Sequence, residues 1–111
     1  MTTLQQLNQN FSFTPKARAR LDEYWDYSRS QNEDPAVLGI CEMKVFPKDG
    51  SGTFTNIFVG FYSRKEAANF PPDSVATIDG MPVGFFLLPE RYPHFYGRTL
   101  DVTDNDVFFL R

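Results

Sequence analysis

A single histidine, His94, sits in the most chemically varied stretch of the chain, Glu90-Arg91-Tyr92-Pro93-His94-Phe95-Tyr96-Gly97-Arg98. Imidazole is the side chain most often used as a general base, and Glu90 or Asp101 could orient it. One reading is therefore a small enzyme acting through His94. That chemistry also needs a nucleophile, and one histidine without such a partner lacks the relay that activates a serine or a cysteine. No catalytic residue is assigned on this basis. The same stretch reads better as a contact surface. Arg91, Tyr92, His94, Phe95, Tyr96 and Arg98 combine aromatic rings with two guanidinium groups, the composition enriched at interface hot spots. A competing reading puts Tyr92 and Phe95 in the core and Tyr96 over a sheet edge, because exposed aromatic clusters are uncommon on monomers.

Three further groupings invite a chemical reading and fail it. Asp101, Asp104 and Asp106 could suggest calcium, but the glycine and distal glutamate of an EF-hand loop are missing, and Asp104-Asn105-Asp106 is a ready hairpin turn. Gly50-Ser51-Gly52 follows a strand as a phosphate loop would. It has no Lys-Ser/Thr after it and leads into another strand rather than a helix N-terminus. Cys41, the only cysteine, lies in an apolar strand and reads as a small core hydrophobe, since a reactive thiolate wants an exposed, electropositive setting. No metal site is assigned.

Composition narrows the field further. A length of 111 residues favours one domain. Twelve Phe, five Tyr and one Trp give so short a chain enough large side chains for a real core. The formal charge of −3 argues against nucleic acid as the main partner, which calls for a basic face. No apolar run approaches 18 residues, so no membrane span is expected. A lone cysteine forbids an internal disulfide, and the polar start MTTLQQLNQN lacks the charged and apolar regions of a secretory signal. The expectation is a cytoplasmic protein.

The elements that must carry the Glu90–Arg98 stretch follow from local pattern. Residues 1–10, with only Leu4 and Leu7 as apolar anchors, are expected to form a flexible arm, or a short helix that orders only on docking. Thr14 and Pro15 open a helix that runs to about Ser30, with Ala17, Leu21, Tyr24, Trp25 and Ser28 on one face. Its basic first turns, Lys16, Arg18 and Arg20, are expected to face solvent. Residues 36–46 read as a strand with Gly39 as a possible bulge, and 47–52 as a loop. Residues 53–62 alternate with apolar groups on both sides, which predicts a central strand. Ser63 and Glu66 stand at capping-box spacing, and Asp79-Gly80 is a hairpin turn between strands. Residues 89–96 form a turn or short helix, and strands at 98–103 and 107–110 close the chain. The fold class is α+β, β-rich and mostly antiparallel, with one long N-terminal helix.

This order of elements resembles the HesB-like family, the A-type iron–sulfur carrier fold. The matching features are Phe13-Thr14-Pro15 and the helix to Ser30, the strand leading to Lys48-Asp49-Gly50-Ser51-Gly52, the hairpin at Asp79-Gly80, and Gly97-Arg98-Thr99-Leu100-Asp101-Val102 before a last aromatic strand. The resemblance covers about residues 11–111 and implies a single two-sheet domain. In the family, cluster iron is held by one cysteine in the glycine-rich loop and a Cys-x-Cys near the C-terminus, because iron–sulfur clusters take thiolate ligands. Here the loop carries Gly50, Ser51 and Gly52, no Cys-x-Cys precedes Arg111, and Cys41 lies inside the preceding strand. What remains implied is the shape without the cluster: a non-enzymatic binding or assembly domain with no cofactor, working with a protein partner or as a homodimer. An iron or iron–sulfur carrier using Cys41 between subunits is the first alternative, and the His94 enzyme the second.

Overall fold

The computed structural model describes residues 1–111 as an α+β domain of seven strands in two mixed sheets, with several short helices and turns. Its first element is a helix, α1, Leu4–Gln9, the docked helix rather than the flexible arm. Thr3 and Gln6 form a reciprocal capping box that satisfies the first orphan donors. Leu7 is fully buried and Leu4 packs against the core. Two leucines are enough to dock a six-residue helix that its polar composition alone would not hold.

Strand β1, Ser12–Phe13, runs into α2, Pro15–Ser30, so the N-terminal region holds two helices rather than one. The side chain of Thr14 caps α2 by accepting from the Ala17 amide, and Pro15 fills the first turn. Ala17, Leu21 and Ser28 are buried, with Tyr24 and Trp25 packed on the core beside them.

The basic first turns of α2 reach solvent, with Lys16 exposed and Arg18 and Arg20 half-buried, but they are also paired. Lys16 pairs with Asp104, and Arg20 pairs with Asp106 as well as Glu23. Both aspartates belong to the last hairpin, so they set negative charge beside a helix start whose own side chains carry the wrong sign for its dipole.

The larger sheet has the order β3-β2-β5-β4, from β2 Pro35–Val45, β3 Phe54–Ser63, β4 Val75–Ile78 and β5 Met81–Phe86. Strands β2 and β5 pair in parallel and the outer pairs are antiparallel. Asp79 and Gly80 both take positive φ, 50° and 79°, at the β4–β5 hairpin turn, as the twist of a two-residue loop demands. The Asp79 carboxylate accepts from the Phe13 amide and its carbonyl accepts from Arg18, which ties the turn to β1 and α2. Between β3 and β4, helix α3, Arg64–Ala67, carries the Ser63–Glu66 capping box.

Two expectations for this sheet need correction. Strand β3 is an edge, not a centre. Its two apolar faces reflect a covered inner side, with Ile57, Val59 and Phe61 on the core, and an outer side left apolar and partly open. Nor does Gly39 mark a bulge, for the register shift lies at Pro35/Val37 and Gly39 sits in a straight ladder between Gly60 and Gly84.

The smaller sheet, β1-β6-β7, uses β6 Thr99–Val102 and β7 Phe108–Leu110, with β6 parallel to β1 and antiparallel to β7. A 3-10 turn, Pro89–Arg91, and helix α4, Tyr92–Phe95, connect β5 to β6. One core of fifteen buried side chains joins α1, α2 and both sheets, including Leu7, Phe11, Phe85, Phe95 and Leu100.

Candidate functional site

The Pro89–Arg98 segment is held by Phe95, which is completely buried and stands against Phe11 and Phe85 with ring centroids 6.3 Å from each. Phe95 is therefore a core residue, which corrects its assignment to a binding surface. Tyr92 packs on the same core and borders an apolar cleft with Leu4, Pro71 and Leu88. Tyr96 is exposed. The other three residues of the segment, Arg91, His94 and Arg98, come together in one groove of about 460 Å³. Its opposite wall comes from Glu42 of β2, Thr55, Asn56 and Ile57 of β3, and Val107 to Leu110 of the last strand. Strands β3 and β7 are edges of different sheets, so the groove follows the seam where the sheets meet without pairing.

The electrostatics of the groove rest on two fixed guanidinium groups. Arg91 donates from Nε and Nη2 to the two oxygens of Glu42 at 2.8 and 3.0 Å, a bidentate pair. The Glu42 side chain is only 12% exposed, so Arg91 covers the one carboxylate in the groove lining. The hydrogen bond to Glu42 holds the Arg91 pKa above its usual value. Arg98 donates from Nε to the Arg111 backbone oxygen at 3.0 Å and from Nη2 to the Leu110 carbonyl at 3.5 Å. The Thr55 hydroxyl and the His94 imidazole make no hydrogen bond within the chain, leaving two polar groups free beside two oriented cations, while Asn56 borders the groove with its side chain on the outer sheet face, opposite Met43.

Neither acid considered as a partner for His94 lines this groove. Glu90 is exposed on the 3-10 turn. Asp101 is bound elsewhere, accepting from the Thr14 hydroxyl at 2.8 Å, the Val102 amide at 2.8 Å and Arg111 at 3.0 Å. Thr14 thus relays between the start of α2 and β6, accepting from Ala17 while donating to Asp101. Replacing Thr14 with Ala is expected to cost at least about 1 kcal/mol, the usual value of a lost cap, measured by chemical denaturation.

The hydrogen bond from Thr14, then the one from Val102, holds the Asp101 carboxyl below its ordinary value of 3.8. A carboxyl lowered in the folded state adds stability that is complete above that ordinary value and disappears as pH falls through the lowered one. Acid unfolding of Asp101→Asn should therefore depend less steeply on pH below 3.8 than that of the unchanged protein. Identical acid limbs would contradict this.

The remaining aspartates of the supposed calcium cluster are the partners of Lys16 and Arg20, and Asp104-Asn105-Asp106 forms the expected turn. No three His, Cys, Asp or Glu side chains gather where they could share a metal ion. In the Gly50-Ser51-Gly52 loop, Asp49 accepts from the Ser51 amide as an ordinary local turn. Cys41 is half-buried on the outer face of the large sheet, level with Phe58 and Phe86, and burial pushes its thiol pKa up. That shift works against the thiolate form a ligand or nucleophile needs.

The outer face of the large sheet is the other notable surface. Tyr62, Phe70 and Phe86 stack over its glycine end with ring centroids 5.0 to 5.2 Å apart. Phe86 itself and, beyond the cluster, Met43, Phe54, Phe58 and Leu88 lie 38–64% exposed. No composition signal in any one strand marks this patch, because it is assembled by the register of β3 on β2 and β2 on β5.

The fold places the chain in the class of α+β domains built from two mixed sheets on one core. No protein-family model and no curated protein matches it. Among solved structures, the chain is similar to a solution NMR structure of a protein from Aquifex aeolicus, a target of the Northeast Structural Genomics Consortium. The identity is 26%, the match covers 92% of this chain and 90% of that one, and the TM-score is 0.52. Near-complete coverage of both chains supports the fold over its whole length. No helix is long and apolar enough to cross a membrane.

Proposed function

We propose that the protein is a non-enzymatic binding or assembly domain, HesB-like in shape and without cluster ligands, that works through protein–protein contacts. The observation that carries this reading is the exposed apolar patch Met43, Phe54, Phe58, Phe86 and Leu88. At about 200 Å² per large apolar side chain, these exposures amount to roughly 500 Å². That lies within the range of about 300–600 Å² for the largest patch on a monomer, where such patches are often functional, and is more than half of the ~800 Å² each partner buries in a standard interface. The patch itself contains no charged residue, so two copies can meet face to face without like-charge repulsion, although the whole chain carries −3. The Pro89–Arg98 turn adjoins it, since Arg91 lines a cleft with Met43, Phe86 and Leu88.

The test is the mass of the protein in solution over a range of concentrations, by light scattering. A dimer of the 12.8 kDa chain is expected. Met43→Glu with Phe58→Glu should return it to a monomer with unchanged circular dichroism, because both side chains lie on the surface. A monomer at all concentrations overturns self-association through this face.

The carrier alternative has one observation behind it, that Cys41 lies on the same sheet face as the patch. Its raised thiol pKa counts against it. Iron and sulfide analysis of the unchanged protein beside Cys41→Ser decides between the two readings.

A further inference from the structure

We propose that the groove between β3, β7 and the Arg91–Arg98 turn is a binding site for a small oxyanion, a phosphate- or carboxylate-bearing molecule held by Arg98 and Arg91 with Thr55 and His94 beside it. This goes beyond the protein-contact reading and uses a different surface, the seam between the sheets.

Charge comes first. Besides His94, the groove lining contains two cations, Arg91 and Arg98, and one anion, Glu42. Both Glu42 oxygens are taken by Arg91. The more exposed member of the pair is the guanidinium, 42% exposed against 12% for Glu42. In a chain of net charge −3 this is a local inversion of sign. Such an inversion in a cleft with apolar walls concentrates anions.

Pre-organisation comes second. Arg91 is fixed by two bonds to Glu42, and Arg98 by bonds to the backbone oxygens of Leu110, the last residue of β7, and of Arg111 after it. Each guanidinium carries five N–H groups and keeps others free. A ligand therefore meets donors already aimed and need not order two long side chains, which lowers the entropy cost of binding. Thr55 is brought to the same place by β3, a strand distant in sequence, with no side-chain partner of its own in the chain.

Size comes third. A groove of about 460 Å³ falls in the range of small-molecule sites. Ile57, Val107 and Phe108 offer apolar cover for a short carbon skeleton behind the charged group.

The experiment is an NMR titration of the isotopically labelled protein with inorganic phosphate and, separately, with malonate, at constant ionic strength and with chloride as control. Saturable shifts confined to the amides of Thr55, Asn56, His94 and Arg98 are expected with at least one of the two anions, and the one that saturates at lower concentration identifies the oxyanion class. Arg98→Gln should weaken that binding about tenfold or more while leaving the rest of the spectrum in place. Thr55→Val serves as a second variant on the opposite wall, with a smaller loss expected. Shifts that chloride reproduces, shifts scattered over the surface, or unchanged affinity in both variants overturn the proposal. The readout is ligand affinity, so it stands or falls separately from the oligomeric state.

Discussion

Phe95→Ala should lower the stability of the domain by about 3–5 kcal/mol, the range for emptying a buried aromatic site, and its melting temperature by roughly 15–25 °C for a domain of this length. Phe95 has no exposed surface and forms a triad with Phe11 and Phe85, whose own centroids lie 5.1 Å apart. These rings come from the segment after α1, from β5 and from α4, so one cavity would loosen three parts of the core at once. Tyr96→Ala, one position on, removes a ring that is 45% exposed and should cost well under half as much. Had Phe95 been a contact residue, the order would be reversed, with Phe95→Ala neutral for stability and harmful only to binding. Thermal denaturation of the two variants side by side decides this. A second readout follows from the same geometry. Phe95 is the only buried side chain of α4, and it pins the turn that carries Arg91, His94 and Arg98, so a folded but softened Phe95→Ala protein should also lose the shape of the groove.

What could be read in the chain beforehand was local. Thr14-Pro15, Ser63 with Glu66, and Asp79-Gly80 act within a few residues of themselves, and each forms the cap or turn its chemistry dictates. The last turn, Asp104-Asn105-Asp106, belongs with them, and Thr103 accepts from the amides of Asn105 and Val107 to shape it. Contacts between distant segments were not readable. The alternation in β3 gives its two faces correctly, yet alternation says nothing about how many neighbours a strand has. Helix α1 was left open between a flexible arm and a helix ordered by docking, because five of its six residues are not buried and only Leu7 shows what it docks on. Of the groove, composition marks Arg91, His94 and Arg98, since charge and aromatics cluster in that stretch. Glu42, Thr55 and Asn56 are unremarkable strand residues until tertiary structure sets them opposite. The pairing of Lys16 and Arg20 with Asp104 and Asp106 joins the first long helix to the last hairpin, a separation no local pattern can bridge.

Gly39→Ala should destabilise the domain by about 1–3 kcal/mol, the usual effect of overpacking, whereas Gly60→Ala, its cross-strand partner, should be neutral or stabilising by up to about 1 kcal/mol. The two glycines face each other on β2 and β3 with Gly84 completing the row, and none of the three has positive φ. Backbone freedom therefore does not explain all three; space does for one of them. A Cβ on Gly39 would stand 2.5 Å from Tyr62 Cε2 and 3.0 Å from Phe86 Cε2, while one on Gly60 would meet nothing within 4 Å. A flexible side chain could swing away from such a contact. Tyr62 is not free to do so, because Phe86 and Phe70 hold its ring at 5.0 and 5.2 Å. Relief would have to come from separating the aromatic cluster or from displacing β2, the strand through which β3 joins the sheet. The aromatic cluster borders the exposed patch proposed as the contact face, so a disturbance there should also weaken self-association beyond what Gly60→Ala does. Denaturation and light scattering on the same pair of variants test both parts, and equal stability of the two would show that the rings lie over Gly39 without confining it.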